Sequence, residues 1–204
     1  MEQRDRELLD RALDLFLEKG FEGATIEAIT DSIAMSPRTV YGRFRGKDAL
    51  FKAALEKAVE EWSVPVAKLE AVACDDFEIY LLEIAKLLVA NQTSPSGLRL
   101  TRIANVEVFR MPEIGAYLWE RTAQPVLQFL TELFRTRLAG RELGPTEAGD
   151  AAIAFMILVV GGAFESIAWS RLSKDELDRQ IVFRTRLFLA GARNLDWTRE
   201  MRAE

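Results

Sequence analysis

Residues 25–47, TIEAITDSIAMSPRTVYGRFRGK, decide the fold of the N-terminal part of the chain. Thr25 is placed to cap a helix whose apolar stripe is built from isoleucines at helical spacing. Ser36 and Pro37 then start a second helix, because serine accepts from the first free amides and proline fits the first helical position. The stretch therefore predicts two short helices joined by a tight turn at Ala34.

The charge of this stretch differs from that of the rest of the chain. The whole chain carries a net charge of −5. Residues 32–47 contain no acid and four basic residues: Arg38, Arg43, Arg45 and Lys47. DNA responds to the potential within about 8–10 Å, so a small basic patch suffices for binding in an acidic protein. A solvated helix face explains the same charge pattern, and both interpretations stay open on charge alone.

The second helix carries side chains suited to the major groove of DNA. A helix-turn-helix places its second helix in that groove. Arginine can bind a guanine edge, threonine can contact a thymine methyl, and a tyrosine hydroxyl can reach phosphate. The helix offers Arg38, Thr39, Tyr41 and Arg43. Lys47 lies at the next helix start, where free amides and a cation together favour phosphate. The alternative is that Tyr41 and Phe44 are core aromatics, which we expect of Phe44.

Residues 12–55 resemble the DNA-binding region of TetR-type (tetracycline-repressor-like) regulators. The shared motifs are Phe16-x-x-x-Gly20-Phe21 with a following Thr25, Ile29-x-x-x-Ile33, Ser36-x-x-Thr39-Val40-Tyr41-x-x-Phe44 and Lys47-Asp48-x-Leu50. The resemblance implies that Thr25 and Lys47 bind phosphate, and that Ser36, Arg38, Thr39 and Tyr41 face the groove or its walls. The predicted DNA-binding set also includes Pro37, Gly42, Arg43 and Arg45.

Three positions depart from the family pattern. The family usually has glycine in the turn, where this chain has Ala34. It often has a small residue in place of Arg38 and an aromatic residue or histidine in place of Gly42. We therefore expect added base recognition from Arg38 and a missing contact at Gly42, and the base pairs recognised stay open.

Composition argues against an enzyme. The chain has no histidine and one cysteine, Cys74, so it lacks the groups for a Ser-His-Asp or Cys-His nucleophile and for a histidine-ligated metal. Phosphate-binding and dinucleotide-binding glycine motifs are also missing. We expect no catalysis, no cofactor and no metal. Two alternatives stay open: a helical enzyme or acyl-carrier-like binding protein, and a helical scaffold whose basic stretch contacts protein.

The whole chain is predicted to be all-α, with about nine helices. Residues 1–47 would form a three-helix DNA-binding domain, and residues 48–204 a larger helical domain for effector binding and dimerisation. Long helices are expected over about 113–138, 146–171 and 175–193. The longest apolar run, residues 151–164, is shorter than the roughly 20 residues of a membrane span. With a charged N-terminal segment and one cysteine, we expect a cytoplasmic protein without membrane contact.

The resemblance implies that the last two long helices form a four-helix bundle with a second subunit. Apolar residues occupy most of the circumference of these helices. Such a helix must be covered by other parts of the protein on more than one side. The predicted dimer interface is Phe155, Val159, Ala163, Ile167, Phe183, Leu187 and Phe188. A core helix buried entirely within one chain is the alternative.

The middle helices should enclose a ligand pocket, and residues 98–113 resemble one common subgroup of the family's C-terminal domains. The predicted lining is Arg102, Glu107, Phe109, Trp119, Phe155, Glu165 and Trp169. A large apolar pocket with few polar anchors suits a lipophilic or aromatic effector. Alternatively, Arg102 and Glu107 form an internal ion pair or face solvent. No single compound is implied.

Together these features predict a homodimeric regulator, a repressor, that binds a pseudo-palindromic operator. Its expected partners are double-stranded operator DNA, a second copy of itself and a small effector that releases the DNA. Effector binding is expected to act through the fourth helix, which links the DNA-binding unit to the larger domain.

Overall fold

The computed structural model describes residues 3–107, 111–162 and 172–197, and the regular elements within these ranges are helices. They are α1 Gln3–Gly23, α2 Ile26–Asp31, α3 Pro37–Arg43, α4 Lys47–Trp62, α5 Val66–Glu70, α6 Phe77–Gln92, α7 Pro95–Glu107, α8 Pro112–Leu118, α9 Gln124–Arg137, α10 Pro145–Phe155 and α11 Lys174–Asn194. Two π-helical segments, Trp119–Ala123 and Met156–Gly161, precede α9 and follow α10. The all-α prediction is confirmed.

One long predicted helix, residues 113–138, is interrupted in the structure. The π-helical segment Trp119–Ala123 separates α8 from α9. Pro125, in the first turn of α9, has no amide hydrogen to continue the regular hydrogen-bond ladder, which accounts for the local change in helix type. The short helix α5 was not predicted, since five residues are too few for a periodic signal.

The chain divides into two compact units. Unit 1 comprises Met1–Ser63 and Pro95–Leu118, and unit 2 comprises Val64–Ser94 and Trp119–Glu204. Helices α4, α7 and α8 therefore pack with the first three helices. The functional division into residues 1–47 and 48–204 stays a prediction. No helix in the described ranges is long and apolar enough to span a membrane.

Unit 1 is built around an aromatic cluster that joins α1 to α4. The ring centroids of Phe16 and Phe51 lie 4.8 Å apart, and those of Phe21 and Phe51 lie 5.4 Å apart. Each of these rings is almost completely buried. Edge-to-face aromatic contacts of this kind add about 0.5–1.5 kcal/mol each to the burial of apolar surface. The cluster fixes α1 and α4 against each other.

A cluster of charges ties the same two helices together. The Lys57 ammonium on α4 lies 2.7 Å from Asp10 Oδ1 on α1 and 3.0 Å from Glu61 Oε1 one turn along α4. Burial alone would lower the pKa of Lys57, but the hydrogen bonds to Asp10 and Glu61 and their charges outweigh burial and raise it. Lys57 therefore stays charged through neutral pH and loses its charge only above the lysine's ordinary pKa.

Unit 2 has its own core, centred on three mutually contacting phenylalanines. The ring centroid of Phe155 lies 5.8 Å from that of Phe134 and 5.2 Å from that of Phe188. These rings come from α9, α10 and α11, so the three helices share one core.

The turn between α2 and α3 places Ala34 in the left-handed region, with φ of 49°. The Met35 amide donates to the Thr30 carbonyl at 2.9 Å, which closes the end of α2 as a glycine usually does at this position. Alanine keeps the turn that the family builds with glycine, at a cost of about 1–2 kcal/mol for a side chain in this conformation.

We predict that Ala34→Gly stabilises the chain. Glycine removes the left-handed penalty, and about 0.4–1 kcal/mol of extra unfolded-chain entropy offsets part of that gain. The expected net gain is about 0.5–1 kcal/mol, or a rise of about 1–4 °C in Tm by circular dichroism. Ala53→Gly, inside α4, is the control and should lower Tm, since glycine costs about 1 kcal/mol in a helix interior. A fall in Tm for both variants would contradict the account of the turn.

Candidate nucleic-acid interface

Two side-chain caps hold the helix-turn-helix segment in place. The Ala28 amide donates to Thr25 Oγ1 at 3.1 Å and starts α2. The Arg38 amide donates to Ser36 Oγ at 3.2 Å, with Pro37 in the first turn, and starts α3. Both starts lie where the sequence predicted them. Thr25 and Ser36 thus have capping roles in the free protein, whatever else they contact in a complex.

The turn is also tied to the first helix. Arg11 Nε on α1 donates to Ser32 Oγ at 3.0 Å, and Ser32 Oγ donates to the Ile29 carbonyl at 2.6 Å. This contact joins the first residue after α2 to α1. The position of α3 is therefore fixed through the turn as well as through the core.

Helix α3 presents nearly all of its side chains to solvent. Among its seven residues only Val40 is buried. Tyr41 is 55% exposed, so it is not a core aromatic, whereas Phe44 is half-buried against the core of unit 1. The exposed residues of α3 are Arg38, Thr39, Tyr41, Gly42 and Arg43.

Gly42 lies in the middle of this exposed surface. A Cβ built on Gly42 meets no atom within 4 Å, so a larger side chain would fit there in the free protein. Glycine therefore leaves a gap in the surface of α3 between Tyr41 and Arg43. This geometry agrees with the expectation of a missing contact, which itself stays a prediction.

The four cations of the basic segment have different surroundings. Arg43 Nη1 forms an ion pair with Asp5 Oδ1 on α1. Within the described ranges, Arg38 and Arg45 are exposed and have no acidic group within ion-pair distance. Two of the four cations, Arg43 and Lys47, therefore contact neighbouring groups, whereas Arg38 and Arg45 are exposed to solvent.

Lys47 is the second held cation. Its ammonium lies 4.5 Å from the centroid of the Phe21 ring and donates to the Glu22 carbonyl at 3.3 Å. The carboxylate of Glu22 is 3.9 Å away. These contacts hold the charge against the end of α1, and Lys47 itself is the first residue of α4, where Gly46, with φ of 105°, provides no side-chain cap. A cation beside uncapped helix amides is an arrangement that favours phosphate.

The arrangement as a whole suits the binding of DNA. It combines an exposed short helix, flanking cations and a helix N-terminus on one continuous segment, residues 25–47. Cations and amides contact phosphate, and the side chains of an exposed helix reach base edges. The predicted DNA-binding residues therefore lie on one segment of unit 1, and their role in binding stays a prediction.

The predicted ligand-lining residues lie in dissimilar surroundings. Arg102 is exposed on α7, and Trp119 is about half exposed. Phe155 is completely buried by core aromatic rings, so it offers no surface to a ligand in this conformation. Phe109, Glu165, Trp169 and the side chain of Glu107 lie outside the described residues. An open cleft of about 690 Å³ on unit 2 is lined by Lys86, Asp178, Arg179, Val182, Phe183 and Arg186, none of which was predicted as lining.

The predicted dimer residues also divide into two groups. Phe155, Val159 and Phe188 are buried in the core of unit 2, which corrects their assignment as partner-facing. Phe183 and Leu187 on α11 are exposed, Phe183 by 64%. Ala163 and Ile167 lie outside the described residues.

Several residues that shape these surfaces were missed from sequence. Asp5 and Glu22 contact the basic segment, but ion pairs between distant positions leave no periodic signal. Ile153 on α10 and Ile157, one turn further in the π-helical segment that follows, are both exposed. The sequence could have indicated them, because this stretch of helix has more apolar residues than one buried face needs.

Family models match most of the chain. Residues 8–54 match the model described as bacterial regulatory proteins, tetR family, and residues 80–191 match the model described as AefR-like transcriptional repressor, C-terminal domain. The curated HTH-type transcriptional regulator UidR of Escherichia coli K12 is 27% identical over 142 residues, which are 68% of each chain.

Solved structures share the fold. A TetR-family transcriptional regulator from Mesorhizobium loti MAFF303099 aligns with a TM-score of 0.72 and 24% identity over 92% of this chain and 96% of that one. The flavonoid-responsive regulator FrrA aligns with a TM-score of 0.67 and 24% identity over 93% of this chain and 97% of that one. With the family models covering both the helix-turn-helix and the C-terminal helices, the chain belongs to the tetR family of bacterial regulatory proteins, transcription regulators with a helix-turn-helix DNA-binding domain.

Proposed function

We propose that this transcription regulator is a homodimeric repressor that binds a pseudo-palindromic operator and releases it when a lipophilic or aromatic effector binds. The observation that carries the proposal is the exposed surface of α3, with Arg38 in its first turn and Arg45 just after its end, neither of them ion-paired within the described ranges. A stable surface of this kind on a helix-turn-helix is suited to the major groove. Repression is inferred from the match to a repressor C-terminal domain.

Within the operator complex, we assign base recognition to Arg38 and phosphate binding to Lys47. Arg38 lies in the first turn of α3, the end that enters the groove in helix-turn-helix complexes. Its guanidinium has the two parallel donors that match a guanine edge. Lys47 lies beside the uncapped start of α4 and would add its charge to the amides there.

The homodimer is supported by apolar side chains that unit 2 leaves exposed. Ile153 on α10 and Ile157 in the π-helical segment after it lie one turn apart, and Phe183 and Leu187 lie one turn apart on α11. Large apolar residues exposed in pairs at this spacing form stripes that are costly to leave in water. A second copy that offers the same stripes would cover them in a four-helix bundle.

Effector control is supported by the way α4 is fixed within unit 1. The phenylalanine cluster and the Lys57 charges bind α4 to α1, so the two helices move together. Arg99 on α7 adds a contact to α1 through Asp14, at 2.7 Å. A displacement of α4 or α7 would therefore reach the DNA-binding helices, because packed helices shift as units.

The likeness to FrrA provides an example of this fold in a regulator named for a response to flavonoids, which are aromatic. An aromatic or lipophilic effector also suits a predominantly apolar helical domain. A ligand screen by thermal shift would identify the compound.

The roles of the two cations predict different effects of their loss. Arg38→Ala should cost about 1–3 kcal/mol on operator DNA and relax base preference at one position. Lys47→Ala should weaken operator and unrelated DNA about equally and reduce the salt slope by about 0.9 per DNA-binding unit. Fluorescence anisotropy on duplexes selected from a random-sequence pool measures both effects.

Lys52→Ala is the matched control, since Lys52 is an exposed lysine of α4 outside the basic segment and, among the residues that the structure describes, pairs only with Glu56 one turn away. It removes the same charge and should change DNA binding little. If all three variants behave alike, the assigned roles are wrong and only net charge matters. If none affects DNA binding, the scaffold alternative gains support.

The exposed stripes predict a variant that separates the subunits. Ile157 is 68% exposed in one chain, so Ile157→Glu should leave the fold intact and place a charge in the apolar interface. Such a change should weaken dimerisation by about 2–4 kcal/mol. Sedimentation equilibrium measures it, and operator affinity should fall together with the dimer fraction.

Ile79→Glu, at an exposed position on α6, is the control for the added charge and should leave the dimer unchanged. A wild-type chain that sediments as a monomer at operator-binding concentrations would contradict the homodimer. The selected operator should also contain two half-sites with centres roughly 34–36 Å apart or adjustable to that distance.

Control by an effector predicts reciprocal coupling. A compound that weakens operator binding tenfold biases the protein by about 1.4 kcal/mol, and operator must weaken its binding by the same factor. Calorimetry of a screened compound with free protein and with the operator complex measures this factor. Equal affinities in the two titrations would exclude release of DNA by that compound.

A further inference from the structure

The ion pair between Arg43 and Asp5 joins a DNA-facing helix to a carboxylate of the same chain. Arg43 occupies the last turn of α3, and Asp5 lies in the first turn of α1. The Arg43 side chain is 39% exposed and that of Asp5 is 26% exposed, so the pair is partly shielded but still reachable from solution. Asp5 therefore occupies a cation that is otherwise available to an anion from solution.

Asp5 is held in place because α1 packs into the core of unit 1. Leu8 and Leu9, one turn further along α1, are buried in the core of unit 1. A carboxylate in the first turn is also favoured by the positive end of the helix dipole. Both features keep the charge of Asp5 next to Arg43 in the free protein.

We propose that Asp5 is an intramolecular competitor for DNA phosphate that weakens the binding of every DNA sequence. The inference rests on DNA binding by the helix-turn-helix and deepens it. Binding through Arg43 requires the guanidinium to exchange a carboxylate for a phosphate or to share itself between two anions. Because binding to unrelated DNA depends almost entirely on phosphate contacts, the competitor limits the time the protein spends on such DNA.

Glu7 distinguishes a specific contact from a general effect of negative charge. Glu7 also lies in the first part of α1 and is exposed, but it pairs with no basic residue in the described ranges. If Asp5 acted only by lowering net charge, Glu7 would act as strongly. The proposal assigns the effect to contact with Arg43.

The test compares wild type with Asp5→Asn on a labelled duplex of arbitrary sequence, by fluorescence anisotropy from 50 to 200 mM NaCl. Asp5→Asn should bind more tightly and with a steeper salt dependence, since one more cation per DNA-binding unit displaces counterions. The slope should change by about 0.9 per unit, or about 1.8 for a dimer that uses both units. The gain in affinity should accordingly shrink about 3.5-fold per unit between 50 and 200 mM salt.

Two comparisons identify the cause. Glu7→Gln removes an equal charge and should reproduce little of the gain. Asp5→Asn combined with Arg43→Gln should bind no better than Arg43→Gln alone, because the competed cation is gone. A gain that persists without Arg43, or that Glu7→Gln matches, would overturn the proposal.

Asp5→Ser provides a second variant with the same expectation and a residue type that suits a helix start. Circular dichroism confirms that each variant is folded. Unchanged or weaker binding by both folded variants, with wild type binding DNA, would overturn the competitor role alone. Failure of wild type to bind any duplex would instead contradict DNA binding itself.

Discussion

Helix α3 is stabilised by its contacts with the rest of unit 1, because it has only seven residues and one buried side chain, Val40. An isolated helix of that length is unstable in water. What holds it is the core formed by α1 and α4, where Phe16, Phe21 and Phe51 contact each other, together with the cap from Ser36. Since so little of α3 is used for packing, nearly all of its surface is left for a partner.

The sequence predicts this unit well because its signals are local. A cap, a proline in the first turn and a glycine stop act within a few residues, so Thr25, Ser36 and Gly20 could be interpreted directly. Gly20, with φ of 71°, does break α1, although one further helical turn follows it. Ala34 shows the limit of such rules, because alanine adopts the conformation that glycine favours.

Contacts between distant residues could not be predicted in the same way. The partners of Arg43 and Lys47 are Asp5 and Glu22, and neither pairing follows from spacing along a helix. In unit 2, periodicity identified apolar residues on α10 and on the π-helical segment after it. It did not show which of them are buried within a single chain. Phe155 is therefore buried where an interface was predicted, and Ile157 is exposed where no role was predicted.

We propose that the exposed surface of α3 gives this chain sequence-specific binding to DNA. The most direct measurement is a gel shift with DNA upstream of the gene that encodes the chain, at low salt and at a concentration where the dimer is confirmed. We expect a discrete complex that unlabelled upstream DNA competes away and that an excess of unrelated DNA does not. No complex with that DNA under these conditions, or one that both competitors remove equally, would contradict it.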